Sequence, residues 1–394
     1  MAKPLEPQPG RDAVVQRLER ARSERLVVSV HRKLRLPSLR GFVVAVGLRW
    51  VAVAVVDDRE MLDGWGLVPL KTIVAVTVDR DPDCFEARAL KARSLWPPTS
   101  PHIELDRSVE VLKSAGAAHS VVGVSVRSSA GFLVGSVQSV GKGNLVLRTI
   151  DRQGRWQSKP RRVRIRDVLR VDLGDAYCQT LMLVADSASA GSGCVEGDES
   201  VGTSSWAKEA SIRDQLWEAQ RARALVKLKR RIPGADPVEG FVCGVGHGWV
   251  AVLKLSEALF RDGWALVRLA DVRKVRIVDT VAERSLEAKM LRVRSEWPPV
   301  VPSVDLDDVM GPLRAVLHRD EMATVFLEHA YPDMCWVGLV RSLDGDVLTL
   351  QAIDPRAAWE SRPRMYDFED VTRVDLGGSY EDALRLAADP YREC

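Results

Sequence analysis

The chain has 394 residues, of which 46% are apolar and 28% are charged, and its formal net charge is +3. This length exceeds a single hydrophobic core, so several domains are expected. The small net charge excludes a general electrostatic field for nucleic acid or membrane, and any basic function has to be local. We expect a cytoplasmic location, because no apolar run reaches membrane-spanning length and the first residues lack the apolar core of a signal peptide.

Cysteine and histidine spacing indicates no metal or cofactor site. The six cysteines have no CxxC spacing and lie far apart, which is typical of reduced thiols. None of the six histidines stands at metal-ligand spacing from a cysteine or carboxylate. The sequence therefore predicts no cofactor, no metal site, no small-molecule substrate and no catalytic residues.

One pattern, Gly-x-Val-x-x-Val/Leu, occurs four times, starting at Gly41, Gly135, Gly240 and Gly338. Each copy is followed by an aliphatic run and then by Ile/Val-x-x-Val. Such self-similarity predicts one small β-unit built four times, and we call each copy a quarter. A glycine is expected in a strand that bends sharply, because backbones crowd there.

In the first quarter, a helix over 14–22 precedes five short β-rich runs separated by turn residues. A connecting helix follows, with Phe85, Ala89, Ala92 and Trp96 on one face, and a double proline ends it. In the second quarter, the helix over 107–113 has Asp106 as its expected N-cap. The strands predicted for the two quarters are 26–31, 42–46, 51–56, 65–70, 73–78, 121–126, 132–140, 145–150, 163–165 and 168–173.

The second half of the chain repeats the first, because residues 26–186 match residues 225–389 nearly end to end. Between the halves, residues 187–205 are rich in serine and glycine, and this composition predicts a flexible linker. The corresponding helices are expected over 212–222 and 308–317, the latter with Asp307 as its N-cap.

A helix followed by five bent antiparallel strands, with glycine in the second and Ile/Val-x-x-Val in the fifth, resembles the Sm-like barrel family. The best matching segments begin at Leu39 and Val238. The resemblance implies a mainly β fold with short helices, in which four tandem five-stranded Sm-like barrels form a duplicated two-barrel module. It also implies that strand four of one barrel pairs with strand five of its neighbour. The family's RNA-binding residues do not carry over, since Leu70 and Lys71 stand where the bacterial chaperone has Lys-His.

These patterns give the domain boundaries. The N-terminal tail spans 1–10, and the linker spans 187–210. The four barrels, the second and fourth each with its connecting helix, are expected over 11–80, 81–186, 211–280 and 281–394.

A basic cluster in the second quarter is the candidate interaction or nucleic-acid surface. Strand alternation places Val163 and Ile165 inward and the arginines between them outward. An arginine row beside a tryptophan suits phosphates and bases, and a solvated strand face is the alternative. The candidate residues are Arg155, Trp156, Lys159, Arg162, Arg164 and Arg166.

The same face reverses its charge in the fourth quarter, where Met365, Asp367 and Glu369 replace the arginines. Asp367 and Glu369 are therefore the candidate acidic counterpart, and our hypothesis is that the two faces dock, within one chain or between two.

The sequence thus predicts a non-enzymatic macromolecular interaction or assembly protein, with a protein partner or self-association and no membrane contact. RNA or DNA binding through the arginine face is one alternative. An enzyme whose site the sequence does not reveal is the other.

Overall fold

The computed structural model describes residues 10–33, 36–127, 131–189, 211–279, 285–300 and 302–388. The chain divides into two compact units, Met1–Gly193 and Cys194–Cys394. Most of the predicted linker, from residue 190 onward, lies outside the described residues. No helix in the described part of the chain combines the length and the apolar character needed to cross a membrane.

The first unit contains four helices and ten strands among its described residues. Its helices are α1 (Arg11–Glu24), α2 (Phe85–Ala92), α3 (Ser108–Ala118) and α4 (Ala176–Ser189). Its strands are β1 (Val27–Arg32), β2 (Leu39–Val46), β3 (Trp50–Val56), β4 (Leu62–Pro69), β5 (Ile73–Val78), β6 (Val122–Val126), β7 (Phe132–Val140), β8 (Asn144–Ile150), β9 (Arg161–Arg164) and β10 (Val168–Leu173).

The second unit repeats this order within its described residues. Its helices are α5 (Ile212–Arg221), α6 (Leu286–Val293), α7 (Gly311–Arg319) and α8 (Ser379–Ala387). Its strands are β11 (Leu225–Arg230), β12 (Val238–Val245), β13 (Trp249–Leu255), β14 (Arg261–Arg268), β15 (Val272–Asp279), β16 (Met322–Phe326), β17 (Trp336–Asp344), β18 (Val347–Ile353), β19 (Arg364–Asp367) and β20 (Arg373–Leu376).

The strands of each unit form one ten-stranded antiparallel sheet. The order is β5-β1-β2-β3-β4-β10-β6-β7-β8-β9 in the first unit and β15-β11-β12-β13-β14-β20-β16-β17-β18-β19 in the second. Within every quarter, the strands therefore lie in the order five, one, two, three, four. Two quarters join where strand four of one pairs with strand five of the next, β4 with β10 and β14 with β20. We call these two junctions the seams.

The sheet order corrects part of the fold prediction. A mainly β fold and its internal duplication are confirmed, but no closed barrel occurs among the described residues. The physical reason lies at the seam, where β4 takes β10 as its second partner instead of closing on a strand of its own quarter. At the first seam, β4 contributes to two cores, since Val68 packs in the core of the first quarter and Leu67 packs in the cluster that holds Leu112 and Leu145 of the second quarter.

The repeated Asp-Gly-Trp motif of strand four fixes each seam to the last helix of its unit. The carboxylate Oδ1 of Asp63 accepts a hydrogen bond from the backbone N–H of Ala176, the first residue of α4, at 2.7 Å. A Cβ on Gly64, whose φ is +69°, would lie 2.1 Å from the carbonyl oxygen of Leu173 in β10. Only glycine therefore fits this position. The indole N–H of Trp65 donates to the carbonyl of Thr99 at 2.7 Å.

The helices depart from the predictions in three ways. The connecting helix α2 ends at Ala92, before Trp96 and the double proline that was expected to end it. The helices α4 and α8, which end the two units, were not predicted. The predicted N-caps are also wrong, because α3 begins after Arg107 and α7 after Met310, neither of which caps with its side chain. Asp106 and Asp307 instead accept hydrogen bonds from the backbone N–H groups of Leu48 and His247, each at 2.7 Å.

Candidate interaction edges

Each ten-stranded sheet ends in two edge strands, β5 and β9 in the first unit and β15 and β19 in the second. An edge strand has backbone N–H and C=O groups without ladder partners and can pair with another strand. Because the seams pair strand four with strand five, each unit retains one edge of each kind. The edge strands β9 and β19 are each strand four of their quarter, and the edge strands β5 and β15 are each strand five of theirs.

One position in strand four distinguishes seams from edges. It is the sixth residue before the start of the Ile/Val-x-x-Val motif, and we call it the seam position. Leu67 and Leu266 occupy it at the two seams, and both are 0% exposed. Arg162 occupies it in β9 and is exposed, whereas Met365 occupies it in β19 and is 70% exposed. The four quarters thus place an apolar residue at both seams and at one edge, and an arginine at the other edge.

The cross-strand partners show what the seam position does. Leu67 lies opposite Val171 of β10, and Leu266 lies opposite Val374 of β20. Both partners are the final valine of the Ile/Val-x-x-Val motif, and both are 0% exposed. An apolar residue at the seam position therefore packs against the core of the neighbouring quarter.

The strand-five edges differ in charge. The edge strand β5 has the sequence IVAVTV, with no charged residue, and its only exposed residue is Thr77. The edge strand β15 instead carries Arg273, Lys274 and Arg276, all exposed. Charged residues on an edge oppose pairing, so β5 is the more permissive strand-five edge.

The predicted arginines lie at the β9 edge. Val163 is buried and lies opposite Leu145 of β8, so its neighbours Arg162 and Arg164 share the outer face of β9. Arg166 is exposed in the short 3-10 helix that follows. Together with the exposed Arg161, these side chains give β9 a basic edge, and none of the four forms an ion pair with another described residue.

The other predicted members of this surface are already engaged or lie apart from the strand. Trp156 donates its indole N–H to the carboxylate of Asp186 at 2.7 Å, and the guanidinium of Arg148 lies 4.8 Å from its ring centroid. Arg155 pairs with Asp151 at 3.3 Å. Lys159 is exposed in the preceding loop. One face of the Trp156 ring is therefore covered by a cation.

The predicted acidic counterpart lies at the end of β19. Asp367 is its last residue, and its carboxylate accepts a hydrogen bond from the backbone N–H of Glu369 at 3.0 Å. Both side chains are exposed. Docking of these two residues against the arginines stays a prediction.

No group of three or more histidine, cysteine, aspartate or glutamate side chains is placed to hold a metal ion within the described ranges. No protein-family model and no curated protein matches the chain.

From the sequence, Met365 was named only as a residue that replaces an arginine, and neither Met365 of β19 nor Thr77 of β5 was identified as an exposed residue of an edge strand. Aligning strand four of the four quarters would have shown that Leu67, Leu266, Arg162 and Met365 are equivalent. That alignment carries no information about which copies are buried, because burial depends on the order of strands in the sheet.

Proposed function

We propose that the protein is a non-enzymatic assembly protein built from four Sm-like units, and that its β19 edge pairs with the β5 edge of a second copy. The observation that carries this proposal is Met365, an exposed apolar side chain at the position where both seams bury a leucine. Single exposed apolar residues are common, but this one lies on an edge strand at a position that the same chain uses twice for pairing. The strand order of every quarter and the pairing of strand four with strand five also fit the Sm-like resemblance.

The seam provides the register for the proposed contact. Transferring the β14–β20 register places Met365 opposite Val76, Tyr366 opposite Ala75 and Arg364 opposite Thr77. No charged pair of like sign results, and Arg364 keeps its ion pair with Glu360, whose nearest N–O distance is 2.6 Å. Met365 would then extend the core of the partner's first quarter, as Leu67 extends the core of the second quarter.

The remaining edges are poor partners for each other. Pairing β19 with β15 in the same register would set Arg364 opposite Arg276. Pairing β9 with β15 would bring two basic edges together, and Arg162 would occupy the seam position. Like charges opposite each other in a sheet are destabilising, so charge directs the choice of edge while backbone hydrogen bonds and apolar contact supply the affinity.

A contact between β19 and β5 joins two different surfaces, so it is heterologous. In a pair of copies, the β5 edge of one copy and the β19 edge of the other remain free, so further copies can add until a ring closes or a filament forms. The earlier hypothesis, in which the β9 arginines dock on Asp367 and Glu369, would join two copies of strand four. The seams offer no precedent for that arrangement, because they join strand four to strand five.

We expect the full chain to self-associate with increasing concentration, and we expect Met365→Arg to weaken this association by about tenfold or more. The estimate follows from about 1.5 to 3 kcal/mol for burying a methionine side chain, because 1.4 kcal/mol corresponds to a factor of ten. Met365→Arg gives β19 the residue that β9 carries at the same position. Sedimentation velocity over a range of protein concentrations measures the effect.

The matched control for this prediction is Met334→Arg, because Met334 is 55% exposed but lies outside the strands. It should leave self-association unchanged. A chain that stays monomeric at all concentrations, or an equal effect of the two variants, would contradict the proposal.

Nucleic-acid binding at the β9 edge is the second candidate function. It is favoured by the four exposed arginines Arg161, Arg162, Arg164 and Arg166, which form no ion pair with a described residue. Phosphate neutralisation imposes a steep dependence of affinity on salt concentration. Filter binding of single-stranded RNA across salt concentrations tests this candidate. A salt-sensitive affinity that the four Arg→Gln changes abolish supports it, and the absence of such an affinity excludes it.

A further inference from the structure

The first strand of each unit ends in an arginine, and the two arginines are anchored in the same way. Arg32 ends β1 and Arg230 ends β11, and each residue is 6% exposed. The Nη2 group of Arg32 donates to the carbonyl of Pro37 at 2.8 Å, and that of Arg230 donates to the carbonyl of Asp236 at 3.0 Å. The two guanidinium groups therefore occupy equivalent places.

In the second unit this arginine has a buried carboxylate partner. The Nη1 and Nη2 groups of Arg230 donate to the two carboxylate oxygens of Glu328, and both side chains are almost fully buried, at 0% and 3% exposed. The hydroxyl of Thr372 donates to Glu328 at 2.7 Å. This is a two-pronged ion pair of the kind that guanidinium geometry favours.

In the first unit the carboxylate is missing. The registers of β6 and β16 against β10 and β20 make Arg127 the counterpart of Glu328 and Leu169 the counterpart of Thr372. Within the described residues, the Nε and Nη1 groups of Arg32 are buried without a hydrogen-bond partner, whereas in Arg230 only Nε is in this state. The neighbouring residues 34–35 and 128–130 lie outside the described part of the chain, and their sequence, Leu-Arg and Ser-Ser-Ala, contains no acid.

The charges around the second-unit arginine balance. Arg373 pairs with Asp375, Lys254 lies 2.8 Å from Asp375, and Glu381 bonds to Thr324. The cations Arg230, Arg373 and Lys254 are thus matched by the anions Glu328, Asp375 and Glu381.

The charges around the first-unit arginine are arranged differently. Val55 and Cys178 replace Lys254 and Glu381, Arg170 pairs with Asp172, and Asp175, which acts on Asp172, stands where the second unit has Gly378. Burial, followed by the positive charge of Arg170, lowers the pKa of Arg32 to about 10, and Asp172 opposes this change. Burial also raises the pKa of Asp172 to about 6, against the effect of Arg170. The first unit therefore buries a guanidinium that has no ion-pair partner of its own among the described residues, because Asp172 pairs with Arg170, and such an arrangement costs free energy.

We propose that Arg32 binds a small oxyanion of the carboxylate or phosphate type, at the place that the Glu328 carboxylate fills in the second unit. One oxygen of such an anion would accept from the unpartnered Nη1 group of Arg32 and the other from Nη2, as the two oxygens of Glu328 do with Arg230. The positive charge of Arg170 strengthens the attraction. The second unit needs no such ligand because it supplies its own carboxylate.

Hydrogen–deuterium exchange of the full chain tests this site, with inorganic phosphate and formate as probes and chloride at equal ionic strength as the reference. A ligand at ten times its dissociation constant should slow exchange through unfolding of the first unit by about tenfold. The slowing should be seen in peptides that cover β1, whereas peptides that cover β11 should not change. Equal behaviour in phosphate, formate and chloride would overturn the proposal.

Two variants separate the site from a general salt effect. Arg127→Glu places a carboxylate where the second unit has Glu328, so β1 should be protected without added anion and should lose its response to phosphate and formate. Arg32→Gln should also remove the response. Protection of β1 by phosphate or formate that persists in both variants would show that the anion acts elsewhere and would overturn the assignment.

Discussion

Replacing Glu328 with glutamine is expected to destabilise the second unit by about 3 to 5 kcal/mol, the usual cost of removing one partner of a buried ion pair. Arg230, whose side chain is 0% exposed, would lose its one ionised hydrogen-bond partner among the described residues and keep the carbonyl of Asp236. The glutamine fills nearly the same volume, so the loss reflects charge and hydrogen bonding and not a cavity. Urea unfolding of the full chain measures the change, and exchange of β11 amides assigns it to the second unit.

The matched control is Arg127→Gln, at the position equivalent to Glu328 in the first unit. Arg127 is exposed, so this change should stay within about 0.5 kcal/mol. If Glu328→Gln costs no more than Arg127→Gln, the buried pair does not contribute as described. The contrast between the two units would then lose its physical basis.

Replacing Gly41 or Gly240 with valine should destabilise the corresponding unit by about 3 kcal/mol or more. A Cβ on Gly41 would lie 2.0 Å from the carbonyl oxygen of Ala54, and a Cβ on Gly240 would lie 2.0 Å from that of Leu253. The clashing atom belongs to the backbone of the neighbouring strand in each case. Relief requires separation of β2 from β3 or of β12 from β13, and chemical denaturation measures the loss.

Gly143 provides the control for these substitutions, because a Cβ at this position meets no atom within 4 Å. Gly143→Ala in the β7–β8 turn should leave the stability nearly unchanged. Wild-type stability in Gly41→Val and Gly240→Val would remove the steric reason for the repeated glycine.

Much of the fold could be predicted because each quarter encodes it locally. The strands predicted at 73–78, 132–140 and 168–173 match β5, β7 and β10, since alternating apolar residues and turn signals lie within a few residues of each other. The N-caps failed for a long-range reason. Asp106 serves the backbone of Leu48, 58 residues away, and no local motif reports that contact.

The interaction edges could be predicted only in part. Strand alternation was enough to place Arg162 and Arg164 on an outer face, because that property is local. Whether a strand is an edge depends on the seam, which joins β4 to a strand more than a hundred residues later in the chain. Without the sheet order, Met365 therefore cannot be distinguished from an ordinary apolar strand residue.

The difference in buried charge between the two units could not be predicted from the sequence either. Arg230 and Glu328 are 98 residues apart, so no sequence pattern links them. Aligning the halves shows arginine at 127 where the second half has glutamate at 328, but only the packing shows that the glutamate neutralises a buried arginine.

The edge-pairing proposal is tested most directly by cross-linking from position 365. A photoreactive residue is placed at 365 in the full chain, this chain is mixed with an isotopically labelled copy, and the cross-linked peptides are identified by mass spectrometry. We expect links between different copies that end within β5, with Val76 or its immediate neighbours as the site. Links confined to one copy, or links between copies that end outside β5, would contradict the pairing of β19 with β5.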